Sequence, residues 1–358
     1  MAGRSARLAL AMARRQAQPY SMVFVLTNRC NFRCDYCDIP ASAGAEMSTA
    51  EFRAAIAELA DAGMGRAAFG GGEALLRPDA VELIEYAKAQ GCFTSLNSNG
   101  WKTERFLDRL AGCLDMLVVS LDGPDDVHDV VRRRRGSYDR VIRVIQAARR
   151  RGIAVATISV IGPWNEQRVE EILELAKTHG FWSYFQPAYL DCFAHDAGLH
   201  PGIDPAMLVR LADRLTDAIA RAPVGSSPGF FDRLRSAPHF SDCSRCTAGK
   251  YFATVMPDGL VVPCHLTMEQ GSYLNGREVG FVRAFLEMSR PSGPGCAISP
   301  YNESDLIFSL DARAVIAAVR RAMSSLRPAP HGVTRDAVRS SATTSASSTA
   351  LRGTARSV

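Results

Sequence analysis

Candidate strands and helices alternate between residues 21 and 188, and this alternation limits the possible folds more than any other feature of the sequence. The predicted strands are Met22–Leu26, Arg66–Phe69, Phe93–Leu96, Asp115–Ser120, Ile153–Ile161 and Phe181–Ala188. Strand–helix alternation with short links predicts a parallel sheet with helices packed outside it. Six units are too few for the closed eight-stranded barrel. They predict an α/β fold, namely an open, partial (β/α)6 TIM-type barrel.

The segments between these strands carry helix signals. Ser48 and Glu51 form the S-x-x-E pattern of a capping box, and apolar residues from Phe52 to Leu59 recur on one helical face. Further helices are predicted over 79–90, 103–111, 137–151 and 169–179. Glycines follow most of these segments and supply helix stops.

Glycine-rich and polar motifs follow the second, third and fourth predicted strands. They are Gly70 to Glu73, Ser95 to Gly100, and Ser120 to Gly123. The carboxyl ends of parallel strands share one edge of the sheet, where ligands bind, so we expect these motifs to lie close together. Glycine lets the backbone approach a ligand closely, and a carboxylate can accept hydrogen bonds from an ammonium group. Each motif alone is also ordinary turn chemistry.

Three cysteines follow the first predicted strand. Cys30, Cys34 and Cys37 form a C-x3-C-x2-C pattern. A single disulfide would leave one thiol over, so the spacing indicates a metal centre. A zinc site and unrelated core thiols are the alternatives. A [4Fe–4S] cluster held by three cysteines would leave one iron free to bind another molecule.

The run from Leu26 to Pro40, with Tyr36 just before the last cysteine, resembles the signature of the radical SAM enzymes. The three downstream motifs resemble those of the family and occur in the family order. The resemblance implies that the free iron binds the amino and carboxylate groups of S-adenosylmethionine (SAM). Electron transfer from the cluster would then give a 5'-deoxyadenosyl radical, which removes a hydrogen atom from a small-molecule or peptide substrate.

The resemblance also assigns residues to the site. Cys30, Cys34 and Cys37 would hold the cluster. The implied cofactor-binding residues are Tyr36, Gly71, Gly72, Glu73, Asn99, Ser120, Asp122 and Arg132. Glu73 matches the family's GGE motif, although Ala74 stands where the family commonly has proline. Arg132 opens a run of four arginines, a pattern that is also typical of a solvated face. Asn165 resembles a family position near the ribose.

A second set of cysteines lies in the last third of the sequence. Cys243, Cys246, Cys264 and Cys296 surround a predicted hairpin, whose turn is Pro257-Asp258-Gly259. The spacing is that of a metal site, and a zinc ribbon is one interpretation. The stretch also resembles the SPASM or shorter twitch extension of radical SAM enzymes, which binds auxiliary iron–sulfur clusters. It implies one auxiliary [4Fe–4S] cluster here, with either three or four protein ligands.

These patterns predict five segments along the chain. They are a basic lead-in (1–19), the partial barrel (20–200), a junction (201–240), an auxiliary-cluster domain (241–321) and a disordered tail (322–358). Because only about 20 residues precede the first predicted strand, we expect no peptide-docking domain at the amino end.

Charge and cysteine content bound the partners and the location. The net charge is +5, but residues 1–20 and 322–358 each carry +4, which leaves −3 for residues 21–321 and gives no basis for a nucleic-acid surface. No apolar run is long enough to span a membrane. Ten cysteines without a secretory context indicate the cytoplasm.

The resemblance implies an electron donor such as flavodoxin or ferredoxin. The alternative function is a non-catalytic, metal-binding scaffold. The presence of both the cysteine triad and the GGE motif disfavours it, because a scaffold needs neither a free iron nor an acceptor for an ammonium group.

Overall fold

The computed structural model describes residues 2–42, 44–190, 198–199, 203–236, 243–267, 271–290 and 295–325. These ranges belong to one compact unit, Met1–Arg327. Cys192, the side chain of Cys243 and the part of the predicted tail beyond residue 325 lie outside the described residues.

One large sheet organises the structure. Its strands are β1 (Ser21–Thr27), β2 (Arg66–Gly71), β3 (Phe93–Ser98), β4 (Met116–Ser120), β5 (Ala154–Ile161), β6 (Trp182–Pro187), β9 (Phe252–Val255) and β10 (Val261–Val262). A separate two-stranded ribbon pairs β7 (Tyr189–Leu190) with β8 (Gly198–Leu199). The strands β1 to β6 are parallel and neighbours in sequence order, which confirms the predicted open barrel. Their carboxyl ends therefore form a common edge.

Helices follow the strands as the alternation predicts. The helices are α1 (Ala2–Ala13), α2 (Thr49–Asp61), α3 (Ala80–Ala89), α4 (Leu107–Leu110), α5 (Asp125–Val131), α6 (Ser137–Arg150), α7 (Val169–His179), α8 (Pro205–Ala218), α9 (Pro228–Arg235), α10 (Gly276–Val279), α11 (Phe281–Leu286), α12 (Ser299–Phe308) and α13 (Ala312–Ser325). The predicted capping box is present at α2, where Ser48 accepts from the Glu51 amide and Glu51 accepts from the Ser48 amide.

Apolar side chains fill both sides of the sheet. The larger cluster joins β1–β4 to α2, α3 and α6, and its rings Phe24 and Phe69 stack with centroids 5.5 Å apart. A second cluster joins α7, α8, α9 and α12 to the open end of the barrel, and it includes Cys246, Cys264 and Cys296. Cys246, Cys264 and Cys296 are thus packed into this second apolar cluster.

The predicted hairpin is present and extends the barrel sheet. Strand β9 pairs in parallel with β1, with Ser21 opposite Phe252, while β10 pairs antiparallel with β9. Sequence spacing gave no indication of this pairing, because its partners lie more than 200 residues apart in the chain.

Two helices correct the sequence interpretation. Helix α12 was not predicted, although Pro300 near its start is a residue favoured in the first helical turn. Helix α13 continues to Ser325, past the predicted start of a disordered tail at residue 322. None of the helices described in the structure is long and apolar enough to cross a bilayer.

Candidate functional site

The first three cysteines lie in a loop that leaves the carboxyl end of β1. The amide of Cys37 donates to the Cys34 carbonyl (3.1 Å), which closes a turn between the two thiols. The amide of Phe32 lies 3.4 Å from Cys30 Sγ. We call residues 28–38 the cysteine loop.

Burial keeps the thiols of this loop protonated when no metal is bound. It raises the pKa of Cys30, Cys34 and Cys37, the last to about 12. After burial, the charges of Cys34 and Cys30 raise the pKa of Cys37 further, so the three sulfurs lie within electrostatic reach of one another. Metals bind thiolate, so a metal bound by this loop would release protons and its binding would depend on pH.

The described side chains contain no group of three or more Cys, His, Asp or Glu residues that is already closed around a single metal ion. The arrangement of the thiols therefore differs from that of a preformed zinc site, in which four ligands meet one ion. A [4Fe–4S] cluster has a different requirement, since three cysteines of such a cluster bind three different iron atoms.

Two glycines bring the end of β2 against the cysteine loop. Gly72 donates its amide to the Thr27 carbonyl (2.8 Å), and a Cβ at Gly72 would collide with the carbonyl oxygens of Asn28 and Arg29. Gly71 has a φ of +128°, a conformation that side chains other than glycine rarely adopt. The GGE motif therefore requires its glycines for contact with the cysteine loop itself.

Glu73 is fully buried at the end of β2. Its carboxylate accepts from the Asn99 amide (2.8 Å), from the hydroxyl of Ser98 (3.0 Å) and from the Leu75 amide (3.3 Å). Burial raises the pKa of Glu73, while these hydrogen bonds oppose the rise. The motifs after β2 and β3 are thus joined directly, as their common edge predicted.

Asn99 connects Glu73 to the cysteine loop. Its side-chain nitrogen donates to Asn31 Oδ1 (2.9 Å) and lies 3.8 Å from Cys30 Sγ. The Asn31 Nδ2 group is buried and has no hydrogen-bond acceptor in the part of the chain that the structure describes. An unpaired buried donor is costly, so this amide is suited to a polar ligand beside Cys30.

Tyr36, Asp122 and Arg132 form a buried ring of contacts, which we call the buried triad. Arg132 Nε lies 2.8 Å from Asp122 Oδ2, Tyr36 donates its hydroxyl to the same oxygen (2.7 Å), and Arg132 Nη2 donates to the Tyr36 hydroxyl (2.7 Å). Burial opposes the charge of Arg132, but Asp122 and then Tyr36 raise its pKa. Both charges are thus satisfied within the protein.

Three of the predicted cofactor-binding residues, Tyr36, Asp122 and Arg132, bind one another and also contact neighbouring loops. Asp122 Oδ1 also accepts from the Val160 amide (2.9 Å), and the Tyr36 ring stacks on Trp164. These side chains fix the second half of the cysteine loop to the ends of β4 and β5. Direct contact of Asp122 and Arg132 with the cofactor stays a prediction, as does that of Ser120 at the end of β4.

The backbone around Asp122 is held by two further buried side chains. His128 Nδ1 accepts from the Asp122 amide (3.1 Å), and Asn165 Nδ2 donates to the Asp122 carbonyl (2.6 Å). Asn165, predicted to lie near a ribose, is almost completely buried and also donates to the Val160 carbonyl (2.9 Å). Both residues hold the loop that follows β4.

His128 makes stability depend on pH. Burial, with the charge of Arg132, lowers its pKa from 6.5 to about 4. The unfolded chain therefore binds one more proton between these values, and the free energy of unfolding falls as pH decreases from 6.5 towards 4, by up to roughly 3 kcal/mol. We expect His128→Asn, which keeps an acceptor for the Asp122 amide, to flatten this slope in denaturant titrations. An unchanged slope would contradict the assignment.

The second set of cysteines gathers around α12. Tyr301 lies within electrostatic reach of Cys264 and Cys296: burial, followed by Cys264, raises its pKa. Asn302 Nδ2 donates to Cys296 Sγ (3.5 Å). Asp305 accepts from the amide of Thr247 (2.7 Å), next to Cys246. One unpredicted helix therefore supports three of the four cysteines.

The two sets of cysteines lie towards opposite ends of β1. Cys264 follows β10 by two residues, and β10 runs down towards the amino end of β9 and β1. Cys30 follows the carboxyl end of β1. Cys264 and Cys30 therefore lie beyond opposite ends of β1, a seven-residue strand that is roughly 20 Å long.

Comparisons with known proteins agree with this geometry. The family model of the radical SAM superfamily matches residues 24–176, which contain the cysteine loop, the GGE motif and the buried triad. A PqqA peptide cyclase from Xanthomonas axonopodis pv. citri (strain 306) is 29% identical over 272 residues, 73% of this chain and 72% of that protein. A second, from Xanthomonas euvesicatoria pv. vesicatoria, is 34% identical over 164 residues, 44% of each chain.

Solved structures share the fold. Streptococcus suis SuiB bound to S-adenosylmethionine superposes with a TM-score of 0.63 at 17% identity, covering 76% of this chain and 68% of SuiB. SuiB bound to the precursor peptide SuiA gives 0.62 at 16% identity, covering 78% and 67%. Family match, fold and site motifs coincide: residues 24–176 form a radical SAM domain, the domain of enzymes that use a [4Fe–4S] cluster with S-adenosylmethionine.

Proposed function

We propose that Cys30, Cys34 and Cys37 hold this cluster and that the enzyme modifies a peptide. The observation that carries the proposal is the convergence of the three thiols, Glu73 and Asn99 at one edge of the barrel. When bound, the cluster and SAM supply a 5'-deoxyadenosyl radical that can remove a hydrogen atom from the substrate. The protein binds, orients and shields these groups.

The residues of the site have separate roles in this proposal. The Glu73 carboxylate faces the same edge and can accept from the ammonium of SAM, since an ionised carboxylate offers about four acceptor sites. Asn99 and Asn31 supply amide groups beside Cys30. The buried triad holds Cys34 and Cys37 in position without adding net charge.

A peptide substrate is supported by the relatives. The curated relatives are named for cyclisation of the peptide PqqA, and SuiB has been solved with a precursor peptide. A small molecule is the alternative substrate, and the incubation with peptides described below distinguishes the two.

The decisive experiment is anaerobic incubation of the reconstituted protein with SAM and dithionite. We expect 5'-deoxyadenosine to form. If iron is bound and no 5'-deoxyadenosine appears, the non-catalytic scaffold becomes the better interpretation. If 5'-deoxyadenosine does form, incubation with candidate precursor peptides encoded near the gene should give a product. The mass of that product should differ from the mass of the peptide by that of whole hydrogen atoms.

We also propose an auxiliary [4Fe–4S] cluster at Cys246, Cys264 and Cys296, with Cys243 as a possible fourth ligand. Because Cys264 and the cysteine loop lie beyond opposite ends of β1, this cluster would serve electron transfer rather than bind the reacting atom. In this proposal the partial barrel spans residues 20–200, the junction 201–240 and the auxiliary-cluster domain 241–321.

Removing one auxiliary ligand should halve the iron content. We expect about eight irons per chain in the reconstituted protein and about four in Cys264→Ala. Because the cysteine loop is intact, cleavage of SAM with dithionite should continue. Cys92→Ala, which alters a buried cysteine of the barrel core, is the control and should retain all the iron. One zinc beside four irons in the unaltered protein would instead indicate a zinc ribbon.

A further inference from the structure

We propose that a basic patch beside the cysteine loop docks an acidic one-electron carrier protein, such as a flavodoxin. The patch consists of Arg33, Arg134, Arg135 and Arg140. The inference rests on the proposed cluster at Cys30, Cys34 and Cys37 and names the surface through which that cluster receives its electron.

The four consecutive arginines, Arg132 to Arg135, lie in different environments. Arg132 is buried in the triad, and Arg133 pairs with the exposed Asp35. Arg134 and Arg135 have no carboxylate partner in the described part of the chain. The sequence pattern suggested a solvated face, and the structure shows that this face lies against the cysteine loop.

The cations of the patch are held by neutral groups. The Arg134 guanidinium lies 4.2 Å from the centre of the Trp101 ring, and that of Arg140 lies 4.4 Å from the same ring. Arg33 donates to the carbonyl oxygens of Cys30 (3.0 Å) and Phe32 (2.9 Å). Cation–π contacts and carbonyl acceptors order these side chains but leave their positive charge uncompensated.

Several exposed arginines on other faces are paired with carboxylates. Arg53, Arg109 and Arg283 each lie within 3.2 Å of a carboxylate oxygen. Residues 21–321 carry a net charge of −3, so the patch is a local group of positive charges on a slightly acidic body. A positive patch on an otherwise acidic protein directs an acidic partner to one place.

The position of the patch identifies the kind of partner. Arg33 donates to the carbonyl of Cys30. The amide of Phe32 contacts the Cys30 sulfur, and the centre of the Phe32 ring lies 5.8 Å from that of Trp101. A protein seated on the patch is therefore separated from Cys30 by about one side chain. Electron transfer falls steeply with distance, so this is a suitable approach for a carrier. One electron leaves the carrier, which is oxidised, and reduces the cluster; no bond or proton changes at the docking surface.

The test compares two charge-matched variants. Arg134→Gln/Arg135→Gln removes two charges of the patch that lie outside the cysteine loop, while Arg14→Gln/Arg150→Gln removes two exposed charges near the amino ends of β1 and β5, at the opposite edge of the sheet. Binding of oxidised flavodoxin to each reconstituted protein is measured by calorimetry. Reduction of the cluster by reduced flavodoxin is followed by stopped-flow absorbance.

We expect the patch variant to bind flavodoxin about tenfold more weakly and to be reduced correspondingly more slowly, with a smaller dependence on salt than the control. With dithionite, which needs no docking, both variants should form 5'-deoxyadenosine within about twofold of the unaltered protein.

Equal binding of flavodoxin by the patch variant and the control would overturn the proposal. The proposal would also be overturned if the patch variant lost the dithionite reaction as strongly as reduction by flavodoxin. In that case the patch would be needed to support the cluster. Equally tight binding of short single-stranded DNA, lost in the patch variant, would indicate a general anion site instead. Absence of 5'-deoxyadenosine from the unaltered protein with dithionite would contradict the proposed function, whereas the calorimetry still tests docking.

Discussion

Cys34→Ala is expected to abolish cleavage of SAM and to remove the iron of the cysteine loop. A [4Fe–4S] cluster with one open iron needs three thiolates from the protein, and Cys34 is the central ligand of the proposed set. The variant should lose about four irons per chain and form no 5'-deoxyadenosine above background with dithionite. Iron analysis and chromatographic detection of the nucleoside measure both effects.

A cysteine of the barrel core supplies the matched control. Cys113 is buried at the amino end of β4, where it contacts the carbonyl of Arg109 and lies far from the carboxyl edge. We expect Cys113→Ala to lose some stability through the small cavity and to keep both iron and activity. Full iron content and unchanged 5'-deoxyadenosine in Cys34→Ala would remove the basis of the proposed site.

Arg132→Met is expected to lower the free energy of unfolding by about 3–5 kcal/mol, because it leaves Asp122 as an uncompensated buried charge. Asp122 is fully buried, and Arg132 is its charge partner within the described residues. Methionine keeps much of the packing volume, so the effect reports mainly the charge. Denaturant unfolding of the iron-free protein measures the change without reference to activity.

Two comparisons make this prediction specific. Asp122→Asn in the Arg132→Met background removes the stranded charge and should recover part of the loss, since asparagine still accepts from the Val160 amide. Arg133→Met breaks an exposed pair with Asp35, and we expect a cost under about 1 kcal/mol. Similar costs for the Arg132 and Arg133 variants would contradict the role of the buried triad.

The same variants separate stability from positioning. The triad ties Tyr36, between Cys34 and Cys37, to β4 and to the residue that follows α5. Loosening this connection should widen the range of sulfur positions available to the loop. The expected signature in Arg132→Met, at temperatures where it is folded, is a broadened electron paramagnetic resonance spectrum of the reduced cluster.

The sequence by itself determined the scaffold and the place of the chemistry. Alternating apolar segments and helix caps are local patterns, so the six parallel strands and the capping box at Ser48 were both readable from it. Topology then required the motifs after β1, β2 and β3 to meet, because the ends of parallel strands share one edge. The contact of Glu73 with Ser98 and Asn99 follows from that rule.

Tertiary structure alone decided which of these side chains face one another. Tyr36 and Arg132 are 96 residues apart, and no periodicity links them. The pairing of β9 with β1 and the support of three cysteines by α12 likewise join distant parts of the chain. The four adjacent arginines were equivalent as sequence, yet the structure buries one, pairs one with a carboxylate and gives the other two no carboxylate partner among the described residues. Local patterns encode backbone shape, whereas the use of a charge depends on what folding brings beside it.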